Sequence, residues 1–142
     1  MSQTTWKTVC YEQDLVTNSG VVVWLDGAQV ALFYLPAAGH QTLYAIDNHD
    51  PESGANVIGR GLIGSIKGDL VVAAPIYKQH YRLHDGQCVE TPHQRLRVWP
   101  VRLTAGVVEV AVTRADEPDI EAWAKGSNVH GAISTVEMVG TD

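Results

Sequence analysis

The chain has two cysteines in 142 residues, too few for the disulfide framework of a small secreted domain. Cys10 and Cys88 read as thiols, with one bridge between them as the single other pairing open to them. Basic residues are also scarce. Ten Lys and Arg stand against 16 Asp and Glu, a formal net charge of -6, which argues against nucleic acid or an anionic membrane as the main partner. No apolar run approaches the roughly 20 residues needed to cross a bilayer, and Met1 to Lys7 lacks the apolar region of a secretory signal. A cytoplasmic location is expected. There is no Gly-rich phosphate loop, no Cys-x-x-Cys and no Gly-x-Ser-x-Gly, and Gly59-Arg60-Gly61 is too short for a nucleotide motif. No part of the sequence is built to hold a nicotinamide nucleotide, a flavin or a haem.

What is present is a strand former's sequence. Apolar residues make up 45% and charged residues 18%, so a chain of this length can bury one sizeable core as a single domain. Short apolar runs alternate with glycine turns. Asp26-Gly27, Lys67-Gly68, Asp85-Gly86 and Ala105-Gly106 each separate two β-rich segments, the local signature of a hairpin. The flanking strands are expected at Trp6–Cys10, Val21–Leu25, Gln29–Leu35, Thr42–Ile46, Leu62–Ile66, Leu70–Ala74, Tyr77–Leu83, Gln87–Val89, Leu96–Leu103 and Val107–Thr113. Pro100 hints at an edge or bulge inside its strand. Many short strands joined by tight turns predict an antiparallel all-β domain. The tail differs in kind. Acidic residues and Pro118 open the stretch Asp116–Lys125, and Gly126 follows it, which predicts a short helix packed through Ile120 and Trp123. Ile133–Val139 is a weak strand candidate.

Two stretches carry the chemical interest: AIDNHDPESGANV, residues 45–57, and VAAPIYKQHYRLHDGQC, residues 72–88. Each is a Pro-containing loop following an apolar strand. Together they resemble the loop pair of the Rieske iron–sulfur fold, in which one loop carries Cys-x-His and the other Cys-x-x-His. On that pattern Asp50 stands at the first cysteine and Glu52 at the first histidine, with Pro51, Gly54 and Ala55 matching. Ala74 stands at the second cysteine and Tyr77 at the second histidine, with Pro75, Gly86 and Cys88 matching. A Rieske centre needs two thiolates on one iron and two imidazoles on the other, so all four ligands are replaced.

That combination resembles the small subunit of the cytoplasmic NAD(P)H-dependent nitrite reductases. The resemblance implies a Rieske-like antiparallel β-sandwich over residues 1–113, with residues 45–90 as the degenerate cluster-binding subdomain and residues 114–142 as a C-terminal helix and tail. It implies a non-catalytic subunit, with no cofactor or metal of its own, that binds and supports a large subunit. That subunit would carry FAD, an iron–sulfur cluster and sirohaem for the reduction of nitrite to ammonium. A cluster-free binding module for another redox enzyme or a small ligand is the alternative.

The residues themselves leave several readings open. Asp50 and Glu52 suit acid–base work or a hard metal, or they accept hydrogen bonds from loop amides in place of the lost cross-link. Tyr77 is expected to fill the gap between the loops and set its hydroxyl near Asp50 or His49. Lys78, His80, Arg82 and His84 fall on one face of an expected strand, with Arg95 and Arg97 on the next. They read as a basic strip for docking an acidic partner surface or as a solvated strand face. His49 and His80 lie near the loop positions but off the ligand positions.

Overall fold

A computed structural model describes residues 4–39 and 41–113. Among the described residues there are ten strands: β1 Thr4–Tyr11, β2 Ser19–Leu25, β3 Ala28–Tyr34, β4 Leu43–Asp47, β5 Leu62–Ile66, β6 Asp69–Ala73, β7 His80–Arg82, β8 Val98–Trp99, β9 Val101–Thr104 and β10 Val107–Thr113. Single 3-10 turns lie at Glu12–Asp14 and Ile58–Arg60. The helix expected at residues 116–125 and the strand expected at 133–139 lie outside the described residues.

Three of the four expected hairpin turns place both central residues at positive φ: Asp26 and Gly27 at 45° and 94°, Lys67 and Gly68 at 52° and 87°, Ala105 and Gly106 at 53° and 82°. That conformation follows the right-handed twist of the strands it joins. The fourth turn is wider. At Asp85-Gly86 only the glycine is left-handed, and the Arg82 N–H donates to the Gln87 carbonyl at 3.0 Å. The strand expected at Gln87–Val89 is reduced to single bridges, Tyr81 to Cys88 and Gln87 to Arg95.

The strands form three antiparallel sheets, ordered β1-β10-β9, β2-β3-β4-β8 and β5-β6-β7. The four-stranded sheet is the middle layer, because β3 and β4 are apolar at consecutive positions and bury both faces. Val30, Leu32, Leu43 and Ala45 face one core, shared with Val9, Val108, Val110 and Val112 of the first sheet. Ala31, Phe33, Tyr44 and Ile46 face the other, shared with Val72 and Tyr81 of the loop-bearing sheet and with Ala74 and Leu83 just past its strands. A bulge between Thr8 and Cys10 in β1 lets the adjacent residues Val9 and Cys10 both enter the first core.

One expectation changes here. The run Leu96–Leu103 is not one strand. Pro100 has no N–H to give a ladder, and at that point the chain leaves Trp99, paired with Ala45 of β4, for Val101, paired with Val110 of β10. The two cysteines are thiols, as expected, and the alternative Cys10–Cys88 bridge is ruled out. Cys10 lies in the first core and Cys88 in the second, on opposite faces of the middle sheet, and both are free thiols. Burial, helped by the charge of Asp14, pushes the Cys10 thiol up to about 12.

Candidate functional site

The first loop leaves β4 at Asp47 and is anchored at its root by Asn48. This side chain is 2% exposed; its Nδ2 donates to Gln29 Oε1 at 2.9 Å and its Oδ1 accepts from the Gly59 N–H at 2.6 Å. The loop doubles back through the Asp50 N–H to the Ala55 carbonyl (2.8 Å) and the Gly54 N–H to the Asp50 carbonyl (2.7 Å). Asp50 is fully buried, at 0% exposure. Its carboxylate accepts three hydrogen bonds: the Glu52 N–H at 2.9 Å, the Ser53 hydroxyl at 2.9 Å and the Tyr81 hydroxyl at 3.1 Å. A buried carboxylate is tolerated when hydrogen-bond donors replace the water it lost.

The Tyr81 hydroxyl comes from β7 in the other stretch, so this one bond ties the second loop's strand to the first loop. Tyr81 is itself 0% exposed. Burial first, then the charge and hydrogen bond of Asp50, push its phenol well above the usual range. The second loop closes on itself, with the Ala74 N–H donating to the Gln79 carbonyl (2.8 Å) and the Lys78 N–H to the Ala74 carbonyl (2.9 Å). A third loop, Cys88–Gln94, braces both. Gln94 Nε2 reaches Glu52 Oε1 at 2.9 Å, Gln79 Nε2 reaches Thr91 Oγ1 at 3.3 Å, and the Thr91 N–H reaches Cys88 Sγ at 3.4 Å.

The four replaced positions therefore have separate fates. Asp50 and Glu52 are hydrogen-bond acceptors in the loop network. Ala74, 1% exposed, puts a methyl group into the core. Tyr77 does not fill the gap expected of it: it is 62% exposed, on the outside of the second loop. The aromatic ring between the loops is Tyr81, whose place is fixed by the alternation of Tyr81 and Leu83 toward the second core. Thiolates and imidazoles are what a [2Fe-2S] Rieske centre requires, and a methyl, an outward phenol and two hydrogen-bonded carboxylates do not fit that cluster. The described residues contain no group of three or more His, Cys, Asp or Glu that could hold a metal ion. His49 is bonded to Asn56 (3.0 Å) and His80 to Glu90 (2.5 Å), so the two histidines serve different loops.

The basic strip is dismantled in the same way. β7 is only three residues long, and Lys78 precedes it in a left-handed turn at φ 57°, so Lys78, His80, Arg82 and His84 do not share one strand face. Most of the charge has local partners. His80 pairs with Glu90; Arg82 pairs with Asp85 at 2.5 Å and lies 3.9 Å from Asp69; His84 lies 3.7 Å from Asp69. Arg97 lies 3.9 Å from Asp47 and stacks over Trp99 at 3.8 Å. Lys78 and Arg95 are exposed and make no ion pair among the described residues. The hydrogen bond to Arg82 holds the Asp85 carboxyl below its usual range. Burial opposes the same shift at Glu90, but hydrogen bonds from the His80 amide and ring outweigh it. Asn48, Tyr81 and Gln94 were not singled out in the sequence as site residues; alternation could have placed Tyr81 inside, whereas Asn48 and Gln94 gave no local signal.

Residues 5–111 match the family model of the Rieske-like [2Fe-2S] domain. The chain is 39% identical over 110 residues to the nitrite reductase (NADH) small subunit of Salmonella typhimurium, covering 78% of this chain and 98% of that one. The chain belongs to the Rieske-like nitrite reductase small-subunit family. Within this family the solved structure of the Escherichia coli protein NirD superposes with a TM-score of 0.70 at 34% identity, covering 78% of this chain and 98% of NirD. A different arrangement occurs in Klebsiella oxytoca. There 105 residues, 39% identical, match within a protein named nitrite reductase [NAD(P)H] large subunit, 74% of this chain but 11% of that relative's length. In Klebsiella the equivalent of this small-subunit domain is thus a segment of the large-subunit chain.

Proposed function

We propose that this chain is the accessory small subunit of a cytoplasmic NAD(P)H nitrite reductase, binding a large catalytic subunit and supporting its reduction of nitrite to ammonium. The observation that carries the reading is the fate of the four ligand positions. Hydrogen bonds and packed side chains hold together loops that a cluster holds in a cluster-bearing Rieske protein, so the chain keeps the shape and gives up the electron carrier. FAD, the iron–sulfur cluster and sirohaem would then reside on the large subunit, and this chain would contribute binding and no step of the chemistry. The near full-length match to a relative named as a small subunit supports the same reading, as does the Klebsiella chain in which the two parts are continuous.

The test is nitrite-dependent NAD(P)H oxidation by the large subunit with and without this chain, together with the chain's visible absorption. A colourless chain that raises the rate or prolongs its lifetime is expected. Visible absorption from bound iron and sulfide would overturn the cluster-free reading. A colourless chain that neither binds nor affects the large subunit would instead leave the alternative, a module for another redox enzyme.

A further inference from the structure

Seven large hydrophobic residues are exposed among the described residues, and four of them gather at one end of the loop-bearing sheet: Leu62 at 76%, Tyr77 at 62%, Ile76 at 48% and Val89 at 39%. The ladder explains the grouping. Leu62 pairs with Ala73, Ala73 pairs with His80, and the Val89 N–H donates to the His80 carbonyl at 2.8 Å. These residues therefore form one row across the sheet, beside the loop from Ala74 to Gln79 that projects Ile76 and Tyr77. Tyr11, Val16 and Val98, the other three, belong to β1, the turn before β2, and β8.

We propose that this tip is the face that seats on the large subunit, with Ile76 and Tyr77 as anchors in an apolar depression and Lys78 against a carboxylate on its rim. The inference deepens the accessory-subunit reading and rests on it. Three features fit the tip to that occupant. Exposed apolar side chains at one end of the sheet, a tyrosine among them, match the composition of interface hot spots. The tip is also rigid before binding: Ala74 is buried beneath it, the loop closes through two backbone hydrogen bonds, and Gln79 is braced by Thr91, which lowers the ordering cost of association. Lys78, unlike the neighbouring His80 and Arg82, makes no ion pair among the described residues, which leaves its charge to meet an acidic partner. The Klebsiella chain supplies the partner's identity, since there the equivalent domain is part of the large subunit.

The experiment measures binding of the full chain to the intact large subunit for the wild type, Ile76→Ser/Tyr77→Ala, Lys78→Glu and Val16→Ser, with a melting curve for each. Loss of two anchors is expected to raise Kd at least about thirtyfold, the equivalent of one hot spot. Lys78→Glu should weaken binding chiefly at low salt, and Val16→Ser should bind as the wild type does. Melting should be unaffected by the tip changes, since those side chains are exposed. Tight wild-type binding that the double variant matches would overturn the tip as the interface and leave the subunit reading intact. No binding by the wild type would overturn the subunit reading itself.

Discussion

At the scale of single residues, one buried hydrogen bond joins the first loop directly to the strand of the second. Tyr81→Phe keeps the ring in the second core but removes one of the three donors to Asp50. Asp50 keeps the Glu52 and Ser53 donors, so the loss is that of one buried hydrogen bond, about 0.5–1.5 kcal/mol of stability, read by chemical denaturation. The same residue sets a pH dependence. Its folded phenol lies above the ordinary value of 10.0, so its contribution is full below that value and is lost as pH rises through the folded one. Cys10, raised from 9.0 to about 12, acts in the same direction. Stability should therefore fall above pH 9 to 10, and Tyr81→Phe should lose less of its remaining stability over that range than the wild type. Equal alkaline losses in the two proteins would refute the role given to the phenol.

At the scale of elements, the hairpins and the close contacts between layers make opposite predictions. Ala105 sits at φ 53° in a turn that asks for left-handed backbone, a conformation asparagine accepts more readily than alanine. Ala105→Asn should raise stability by up to about 1 kcal/mol, measured by denaturant midpoint. Gly20 is the reverse case. A Cβ there would meet the carbonyl oxygen of Gly59 and lie 2.7 Å from the Phe33 ring, so β2 could not lie against the turn at Ile58–Arg60. Gly20→Ala should cost about 1–3 kcal/mol through overpacking, and a melting temperature equal to that of the wild type would refute the contact. The turns that produce the hairpins were legible in the chain, because a residue pair that tolerates positive φ is a local requirement. The shortness of β7 was not, because it follows from Lys78 taking a left-handed turn that closes the second loop against Ala74.

At the scale of the whole molecule, acid sensitivity comes from the third loop and its neighbours. Asp85 and Glu90 both titrate below their ordinary values of 3.8 and 4.5. Their stabilisation is complete above those values and is lost as pH falls through the lower folded ones. Melting temperature should hold steady down to about pH 5 and then decline, and Glu90→Gln should flatten part of that decline. Losing the Arg82–Asp85 and His80–Glu90 pairs would free the charges that the sequence had suggested as a docking strip, so affinity for an acidic surface and thermal stability should move in opposite directions below that pH.

The sequence by itself determined the class of fold, most of the strands and three of the four hairpin turns, because these depend on residue type and spacing along the chain; the replacement of every cluster ligand followed from its resemblance to the Rieske loops. The resemblance carried by its two loops also led to the family. Only the tertiary structure decided which carboxylates are buried, which charges are already paired and which aromatic ring lies between the loops. Asp50 and Tyr81 are 31 positions apart, and Glu52 and Gln94 are 42 apart. Whether a side chain at such a separation meets a partner or water depends on how three sheets stack, and no local pattern encodes that.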